Sequence, residues 1–326
     1  MSFKVVDLFC GCGGLSYGFH KEKYNIIESY DFFDKAIKSY RLNYKKTNAI
    51  NIDISRVSFL SLKNKVDLVI GGPPCQPFSV VGKQKGNSDL RDMVPEFIRV
   101  VKECSPKVFI MENVSGLTSK KNKDYFNNVI KEFHRLGYKT NYEVLDFRDW
   151  GVPQKRKRLI LIGSLKEIIP MPKKEFSEDN YVVLSDILPV DNVKKNSLSD
   201  IIYMKSPLVK GTFASSLLVN GKGRPIYMNE QSNTITASVG NAIHFIDNQK
   251  FFEKYYQSLK SGKISKRGSC SEVGIRRLYF EEMSAIQTFP KDYLFYGSTS
   301  DKIKQVGNAV PPKFSEYLAK HIKQFL

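Results

Sequence analysis

The stretch Val66-Asp67-Leu68-Val69-Ile70-Gly71-Gly72-Pro73-Pro74-Cys75-Gln76-Pro77-Phe78-Ser79 decides how this chain is read. An apolar run that stops at Gly-Gly and Pro-Pro has the pattern of a buried strand ending abruptly. Pro73, Pro74 and Pro77 lack a backbone N–H, so the continuation is a stiff, non-helical loop. Open α/β sheets bind ligands just beyond the carboxyl ends of their strands. Cys75 is therefore held on a rigid loop where such folds do their chemistry. A free cysteine is often no more than a small buried hydrophobe. The strand-end position and the flanking prolines instead point to a functional thiol. Ordinary thiols titrate near about 8.5, so only a small fraction is thiolate at neutral pH, yet that thiolate is a strong nucleophile.

Outward from this stretch, strands alternate with helices. Residues 4–9, 25–30, 49–54, 108–111, 142–145 and 159–162 read as strands. Helices are expected from residue 15 to 20, over 34–44 with Asp34 in the acidic first turn, over 90–104 and over 125–136. In the third of these, Leu90, Val94, Phe97, Ile98 and Val101 share one face. This order predicts an α/β fold built on a doubly wound, mostly parallel sheet. Asp31, Asp53, Cys75 and Glu112 then all fall at strand ends along one edge. After Gly163 the alternation stops. Residues 165–275 carry Pro170, Pro172, Pro189, Pro207 and Pro225, with short β-like runs between polar clusters. They predict a second, smaller, irregular β-rich domain. Order returns with a helix at 281–288, a loop at 305–312 and an amphipathic helix at 312–325. The expected organisation is a large domain over 1–164, a small one over 165–275, and a C-terminal segment, 276–326, rejoining the large domain.

The 326 residues are 41% hydrophobic and 26% charged, an ordinary soluble composition with room for two domains. No apolar run is long enough to span a bilayer, and the N-terminus lacks a signal-peptide pattern. Five cysteines without regular spacing suit a reducing compartment, so the expected location is the cytoplasm. With no C-x-x-C and no H-E-x-x-H, no metal is expected. Lys and Arg number 51 against 33 Asp and Glu, a net charge of +18. That attracts a polyanion, either nucleic acid or an acidic membrane surface. Residues 165–275 hold 15 basic and 11 acidic side chains, so most of the excess lies outside them.

Gly11, Gly13 and Gly14 follow the first strand and bring backbone close to a ligand. A dinucleotide fingerprint would have glycine where this chain has Ser16. The broken pattern points to a cofactor with an adenosine but no pyrophosphate. Asp31 is positioned to accept from ribose hydroxyls, and Phe32 can stack on adenine. Glu112, ending the strand beside that of Cys75, can donate to a heterocycle nitrogen if kept protonated. In Gln154-Lys155-Arg156-Lys157-Arg158, strand alternation sends Arg156 and Arg158 to one face. Two guanidiniums there can pin an oxygen-rich ring edge or a phosphate. Residues 80–87, with two glycines and two lysines, describe a loop able to close over an anionic ligand.

Taken together and in this order, the motifs resemble those of the DNA (cytosine-5)-methyltransferase family, of the small prokaryotic or phage restriction-modification type. Asp7-Leu8-Phe9-Cys10-Gly11-Cys12-Gly13-Gly14 is similar to its cofactor loop, and Gly72 to Ser79 to its nucleophile loop. Glu112-Asn113-Val114, Gln154-x-Arg156-x-Arg158, Arg277-Leu278 through Pro290, and Gln305-Val306-Gly307-Asn308-Ala309-Val310 match further motifs. Phe280-Glu281 departs from the family's usual Pro or Val followed by Arg. The resemblance covers nearly all of 1–164 and 276–326. Within 165–275 only Thr234-Ile235-Thr236-Ala237 is familiar.

The resemblance implies S-adenosylmethionine as cofactor and cytosine in double-stranded DNA as substrate. Cys75 would add to C6, Glu112 would hold N3 and the exocyclic amine, and Arg158 would bind O2. Arg156 would orient the thiolate or a backbone phosphate. Phe9, Asp31, Phe32, Asp53, Ile54, Pro74, Val94, Asn308 and Ala309 would line the cofactor pocket, beside the glycine turn. Gln76, Ser79, Lys83, Lys85, Arg91 and Thr234 would contact DNA, with residues 165–275 reading the major groove. A monomer is implied, with a restriction endonuclease for the same site as an unbound companion. Three other readings stay open: a relative acting on transfer RNA with the same motifs, a catalytically inactive DNA-binding protein, and an oxidoreductase, which Ser16 disfavours.

Overall fold

The structure is a computed structural model and describes residues 2–75, 92–188, 229–237, 244–246, 261 and 275–326. The first part of the chain forms β1 (Lys4–Leu8), α1 (Gly14–Lys21), β2 (Asn25–Asp31), α2 (Asp34–Asn43), β3 (Asn48–Asn51) and β4 (Leu68–Gly71). Next come α3 (Val94–Cys104), β5 (Val108–Val114), α4 (Lys123–Arg135), β6 (Lys139–Asp146), β7 (Gln154–Lys155) and β8 (Lys157–Ser164). The remaining described elements are α5 (Leu184–Ile187), β9 (Ser232–Asn233), β10 (His244–Ile246), β11 (Ile275–Arg277), α6 (Phe280–Ile286), α7 (Thr299–Asn308) and α8 (Pro312–Ile322).

Seven strands make one sheet in the order β3-β2-β1-β4-β5-β8-β6. The pairings among β1 to β5 are parallel, while β8 runs antiparallel to both β5 and β6. The doubly wound, mostly parallel sheet read from the sequence is thus the observed architecture. β1 lies between β2 and β4, so the winding reverses there and opens a crevice at the strand carboxyl ends.

Both faces of the central strands are covered, which is why β4 and most of β5 and β8 are apolar rather than alternating with polar residues, while edge strand β6 is largely polar and exposed. Val6, Leu8, Val69, Phe109, Met111, Leu159 and Leu161 point into one core. There they meet Phe97, Val100, Val101 and Cys104 of α3 and Phe126, Val129 and Phe133 of α4. Val5, Leu68, Ile70, Val108, Ile110, Ile160 and Ile162 point the other way. They pack on Leu15 and Phe19 of α1 and on Phe314, Leu318, Ala319 and Ile322 of α8. The C-terminal helix therefore completes a layer begun by the first one. After β8 the chain stays on the sheet as far as Phe176: Ile169 is buried in the second core, and the Glu175 and Phe176 amides donate to the Asp149 carbonyl.

Two expected boundaries shift for local reasons. β3 stops at Asn51 rather than 54, because Asp53 accepts the Ser55 N–H at 3.0 Å and turns the chain into a short 3₁₀ helix. The expected loop at 305–312 is helical up to Asn308, as the last turn of α7. Gly307 made this segment look like a breaker. It is glycine for packing: a Cβ there would lie 2.3 Å from the Thr236 carbonyl carbon. Of the expected small domain, residues 189–228, 238–243, 247–260 and 262–274 lie outside the described residues.

α1 and α8 touch backbone to backbone at Gly18. Its N–H donates to Ser315 Oγ at 3.0 Å, and a Cβ would fall 2.1 Å from the Ser315 carbonyl carbon. Gly18→Ala forces the helices apart, and overpacking of this kind costs about 1–3 kcal/mol. Its melting temperature is expected to drop by several degrees in a thermal scan. An unchanged value would mean that the two helices do not approach this closely.

Candidate active site

Register alone lines up the edge of the sheet. Leu8 pairs with Tyr30 and with Gly71, and Gly71 pairs with Met111. One residue further along each parallel strand stand Asp31, Phe9, Gly72 and Glu112, in a row across the crevice. Phe9 has φ 56°, a left-handed conformation uncommon outside glycine and concentrated at functional sites. Gly11 and Gly13 continue the turn at φ 54° and 96°, and Gly14 opens α1.

The Asp31 carboxylate braces this turn, accepting the Gly11 N–H at 2.9 Å and the Phe33 N–H at 2.8 Å. Burial raises its pKa against the pull of these amides. Between them, Phe32 is 68% exposed, a large ring with nothing packed over most of its surface. Ile54 is buried nearby in the first core, while Asp53 is exposed and caps the 3₁₀ turn. Val94 is buried at the start of α3. Asn308 is exposed at the end of α7, followed by half-buried Ala309.

Cys75 is buried, on a loop tied down from two sides. Asn113 Nδ2 donates to the Pro73 carbonyl at 3.0 Å, and the Met93 N–H donates to the Pro74 carbonyl at 3.0 Å. Cys75 itself forms an isolated antiparallel bridge with Asp92. Burial and then the Asp92 carboxylate, which accepts a hydrogen bond from the thiol, push its pKa well above the ordinary range. At rest the sulfur is a thiol.

Glu112 is buried one strand away, and Arg158 Nε donates to its Oε1 at 3.1 Å. Burial raises the Glu112 pKa, opposed by the charges of Arg158 and Arg156. Arg158 is reached because Glu112 pairs with Ile160 on antiparallel β8, placing Arg158 two residues on, on the same face.

Arg156 makes contacts that the sequence did not suggest. The strand breaks between β7 and β8 at this residue, and its side chain is only 1% exposed. Its guanidinium donates to the carbonyls of Ile235 at 3.1 Å, Gly307 at 3.2 Å and Ala309 at 3.0 Å. It ties three distant stretches of chain together and adds its charge behind Glu112. Gln154 and Gln287 extend the tie, with Gln154 Oε1 accepting the Ile235 N–H at 3.1 Å and Gln287 Nε2 donating to the Ala309 carbonyl at 2.6 Å. Thr234 uses its hydroxyl proton on the Lys155 carbonyl at 2.6 Å, leaving only acceptor capacity for a partner. Gln76, Ser79, Lys83, Lys85 and Arg91, expected at the DNA, lie outside the described residues.

Sequence reasoning missed three groups. Asp92 lies beside Cys75 and accepts the Tyr125 hydroxyl, and the Asp92-Met93-Val94-Pro95 start signal of α3 could have flagged the first. The third is a buried chain under the glycine turn. Ser29 Oγ donates to the Tyr40 hydroxyl at 2.8 Å, Tyr40 lies 2.7 Å from Ser16 Oγ, and Ser16 donates to the Asp7 carboxylate. Ser16, the residue that breaks the dinucleotide pattern, serves this chain.

A crevice at the winding reversal, a bracing carboxylate after β2, a cysteine after β4 and a buried acid in β5 define the class as a Rossmann-like methyltransferase. Comparison with known proteins narrows this. The C-5 cytosine-specific DNA methylase family matches residues 3–324, and the chain belongs to that family. The type II methyltransferase M.NgoPII of Neisseria gonorrhoeae is 30% identical, over 99% of this chain and 96% of that protein. M.PspPI of a Psychrobacter species is 33% identical, over 100% of this chain and 80% of that protein. Among solved structures, the fold is similar to a DNMT2 variant of Spodoptera frugiperda, with a TM-score of 0.77 at 20% identity, covering 99% of this chain and 100% of that one. The enzyme is thus a DNA (cytosine-5-)-methyltransferase.

Burial, opposed by the Ser16 hydrogen bond, raises Asp7 from 3.8 to about 8. The folded state thus keeps a proton that the unfolded chain releases near pH 4. The stabilisation is complete below that pH and is lost as pH rises through about 8, with a slope of at most about 1.4 kcal/mol per pH unit. In urea titrations across this window, Asp7→Asn is expected to remove part of the wild-type decline in stability. Parallel curves would place the Asp7 pKa near its ordinary value.

Proposed function

We propose that the enzyme transfers a methyl group from S-adenosylmethionine to C5 of a cytosine within a specific duplex DNA sequence, through a covalent bond between Cys75 and C6. One observation carries this reading: Cys75 lies on the loop that leaves the end of β4, and Glu112, paired with Arg158, stands one residue beyond Met111, the partner of Gly71 at that same end.

The residues fit the cofactor. The Asp31 oxygens each hold one backbone N–H and retain a lone pair for ribose hydroxyls. Phe32 offers an open ring face to adenine. Phe9, the glycine turn at 11–14, Asp53, Ile54, Pro74, Val94, Asn308 and Ala309 complete the proposed lining. When bound, S-adenosylmethionine supplies an electrophilic methyl group.

Cytosine C5 is too poor a nucleophile to take that group unaided. Addition of the Cys75 sulfur to C6 moves the ring's π pair towards C5. Glu112, whose hold on a proton is strengthened by burial, serves in this reading as the donor to N3 and offsets the electron density that builds in the ring. Arg158 steers the carboxyl and reaches O2. After C5 accepts the methyl, loss of H5 restores the ring and expels Cys75. A base inside a stacked duplex is out of reach of these groups, so the cytosine is flipped out, at a few kcal/mol.

We propose that Gln76, Ser79, Lys83, Lys85, Arg91 and Thr234 contact the DNA. In the same reading, 165–275 forms a recognition domain beside the large domain of 1–164, and 276–326 rejoins the latter. The protein acts as a monomer in the cytoplasm. Among the described residues no helix is long and apolar enough to cross a membrane. Because the relatives are type II methyltransferases, we assign the role of modification enzyme alongside an unbound restriction endonuclease.

Bisulfite sequencing of duplex DNA treated with purified enzyme is expected to reveal one methylated cytosine in a fixed sequence. Labelled transfer to duplex DNA and to transfer RNA, run in parallel, is expected to mark the DNA; label on RNA alone would refute the substrate. Cys75→Ser is expected to lose methylation while keeping DNA affinity, and retained methylation would refute the nucleophile.

A further inference from the structure

Among the described residues, the charged group beside the Cys75 sulfur is a carboxylate, that of Asp92. Among the described residues, the ionisable groups acting on the Cys75 sulfur are Asp92, through charge and a hydrogen bond, and the Tyr125 phenol. The charges of Arg156 and Arg158 act instead on Glu112. Among the described residues, burial and the Asp92 charge both work against a preformed thiolate. Forming the S–C6 bond makes the S–H strongly acidic, and its proton must pass to a base already in contact.

Asp92 is built into that position. Its residue bridges Cys75 backbone to backbone, and its neighbour's N–H donates to the Pro74 carbonyl at 3.0 Å. Its carboxylate is fixed from two further sides. Oδ1 accepts the Val94 N–H at the start of α3, at 3.1 Å, and Oδ2 accepts the Tyr125 hydroxyl from α4. A side chain serving only to cap α3 would need the first of these contacts alone. Here the same carboxylate is aimed at the thiol and held by a phenol from a second helix.

We propose that Asp92 is the general base of the addition step, taking the Cys75 proton as sulfur bonds to C6, with Tyr125 as its positioning residue. This rests on the reading of Cys75 as the nucleophile. A sulfur lone pair forms the S–C6 bond, and the S–H pair stays on sulfur while its proton moves to the Asp92 carboxylate. The C5–C6 π pair moves to C5, where it accepts the methyl group. On elimination H5 passes to water, its bonding pair re-forms C5–C6, and the S–C6 pair returns to sulfur, which recovers the proton from Asp92. The free enzyme thus carries a quiet thiol, unreactive until a ring is presented to it.

The test uses the full chain. Iodoacetamide alkylation of Cys75 is followed across pH by mass spectrometry of its peptide, without DNA or methyl donor. Single-turnover methyl transfer to duplex DNA is measured beside it. Asp92→Asn is expected to move the alkylation profile to lower pH by at least one unit, so that reaction at pH 8 is about tenfold faster or more. It is also expected to slow methyl transfer by about 10²–10⁴-fold, as loss of a general base does. Asp92→Glu, which keeps a carboxylate, is expected to recover part of that rate. Mere exposure of the thiol would raise alkylation equally at every pH without moving the profile, and that result overturns the proposal. Wild-type methyl transfer by Asp92→Asn also overturns it. If Asp92→Asn does not fold, Tyr125→Phe decides. It keeps the carboxylate but removes a donor that shares its charge, so the profile is expected to move to higher pH; one at or below the wild-type position overturns the proposal. Covalent trapping of wild-type enzyme on DNA carrying 5-fluorocytosine tests Cys75 as nucleophile separately.

Discussion

Parallel pairing of β1 with both β2 and β4 is the constraint from which the site follows. Parallel strands in register bring their carboxyl ends to one edge, whatever the loops between them do. The backbone ladder thus places Asp31, Phe9, Gly72 and Glu112 side by side before any of these side chains makes a contact. Each then finds a local anchor. Asp31 holds the amides of Gly11 and Phe33, Asn113 holds the Pro73 carbonyl, and Arg158 holds Glu112. The chemistry sits on strand ends because only there can a rigid backbone present polar groups without leaving buried ladder bonds unmade.

A second constraint acts at the far side of the crevice. The Arg156 guanidinium is buried and joins carbonyls from three stretches of chain, with Gln154 and Gln287 beside it. Burying a guanidinium is costly unless its donors are satisfied. Its two Nη atoms find carbonyls, while Nε has no hydrogen-bond partner and burial works against its charge. The arrangement makes the end of α7 part of the same unit as β8, so that cofactor-side and base-side groups are held to one frame. Its positive charge also reaches Glu112, one reason that acid is not pushed higher by burial.

Cys75 and Glu112, the proposed nucleophile and acid, sit in opposite surroundings. Glu112 is buried next to cations, so its charge is tolerated even as burial favours the proton. Cys75 is buried next to an anion, so its charge is opposed twice. Such a site does not store a reactive thiolate. It keeps sulfur protonated and makes proton removal part of bond formation. That protects a buried cysteine from stray electrophiles while leaving it competent towards a ring held in place.

Much of this was legible in the residues alone. The abrupt strand stop before Cys75, the strand–helix alternation and the polar residues at strand ends are local signals, and local signals determined the sheet and the place of Cys75 and Glu112 along its edge. The glycine turn at 11–14 was likewise legible, because glycine spacing reports backbone geometry directly. What only the tertiary structure decided were contacts between residues far apart in sequence. Arg156 read as a group for a ring edge, a thiolate or a phosphate, and its neighbours in space are carbonyls of residues 235, 307 and 309. Residues 305–308 read as part of a loop, yet they close a helix whose Gly307 lies against the backbone of Thr236 and Ala237. Asp92 read as nothing, since neither Cys75 nor Tyr125 is close to it along the chain. Periodicity and turn chemistry act over a few residues, whereas the partner of a buried charge is chosen by the packing of the whole.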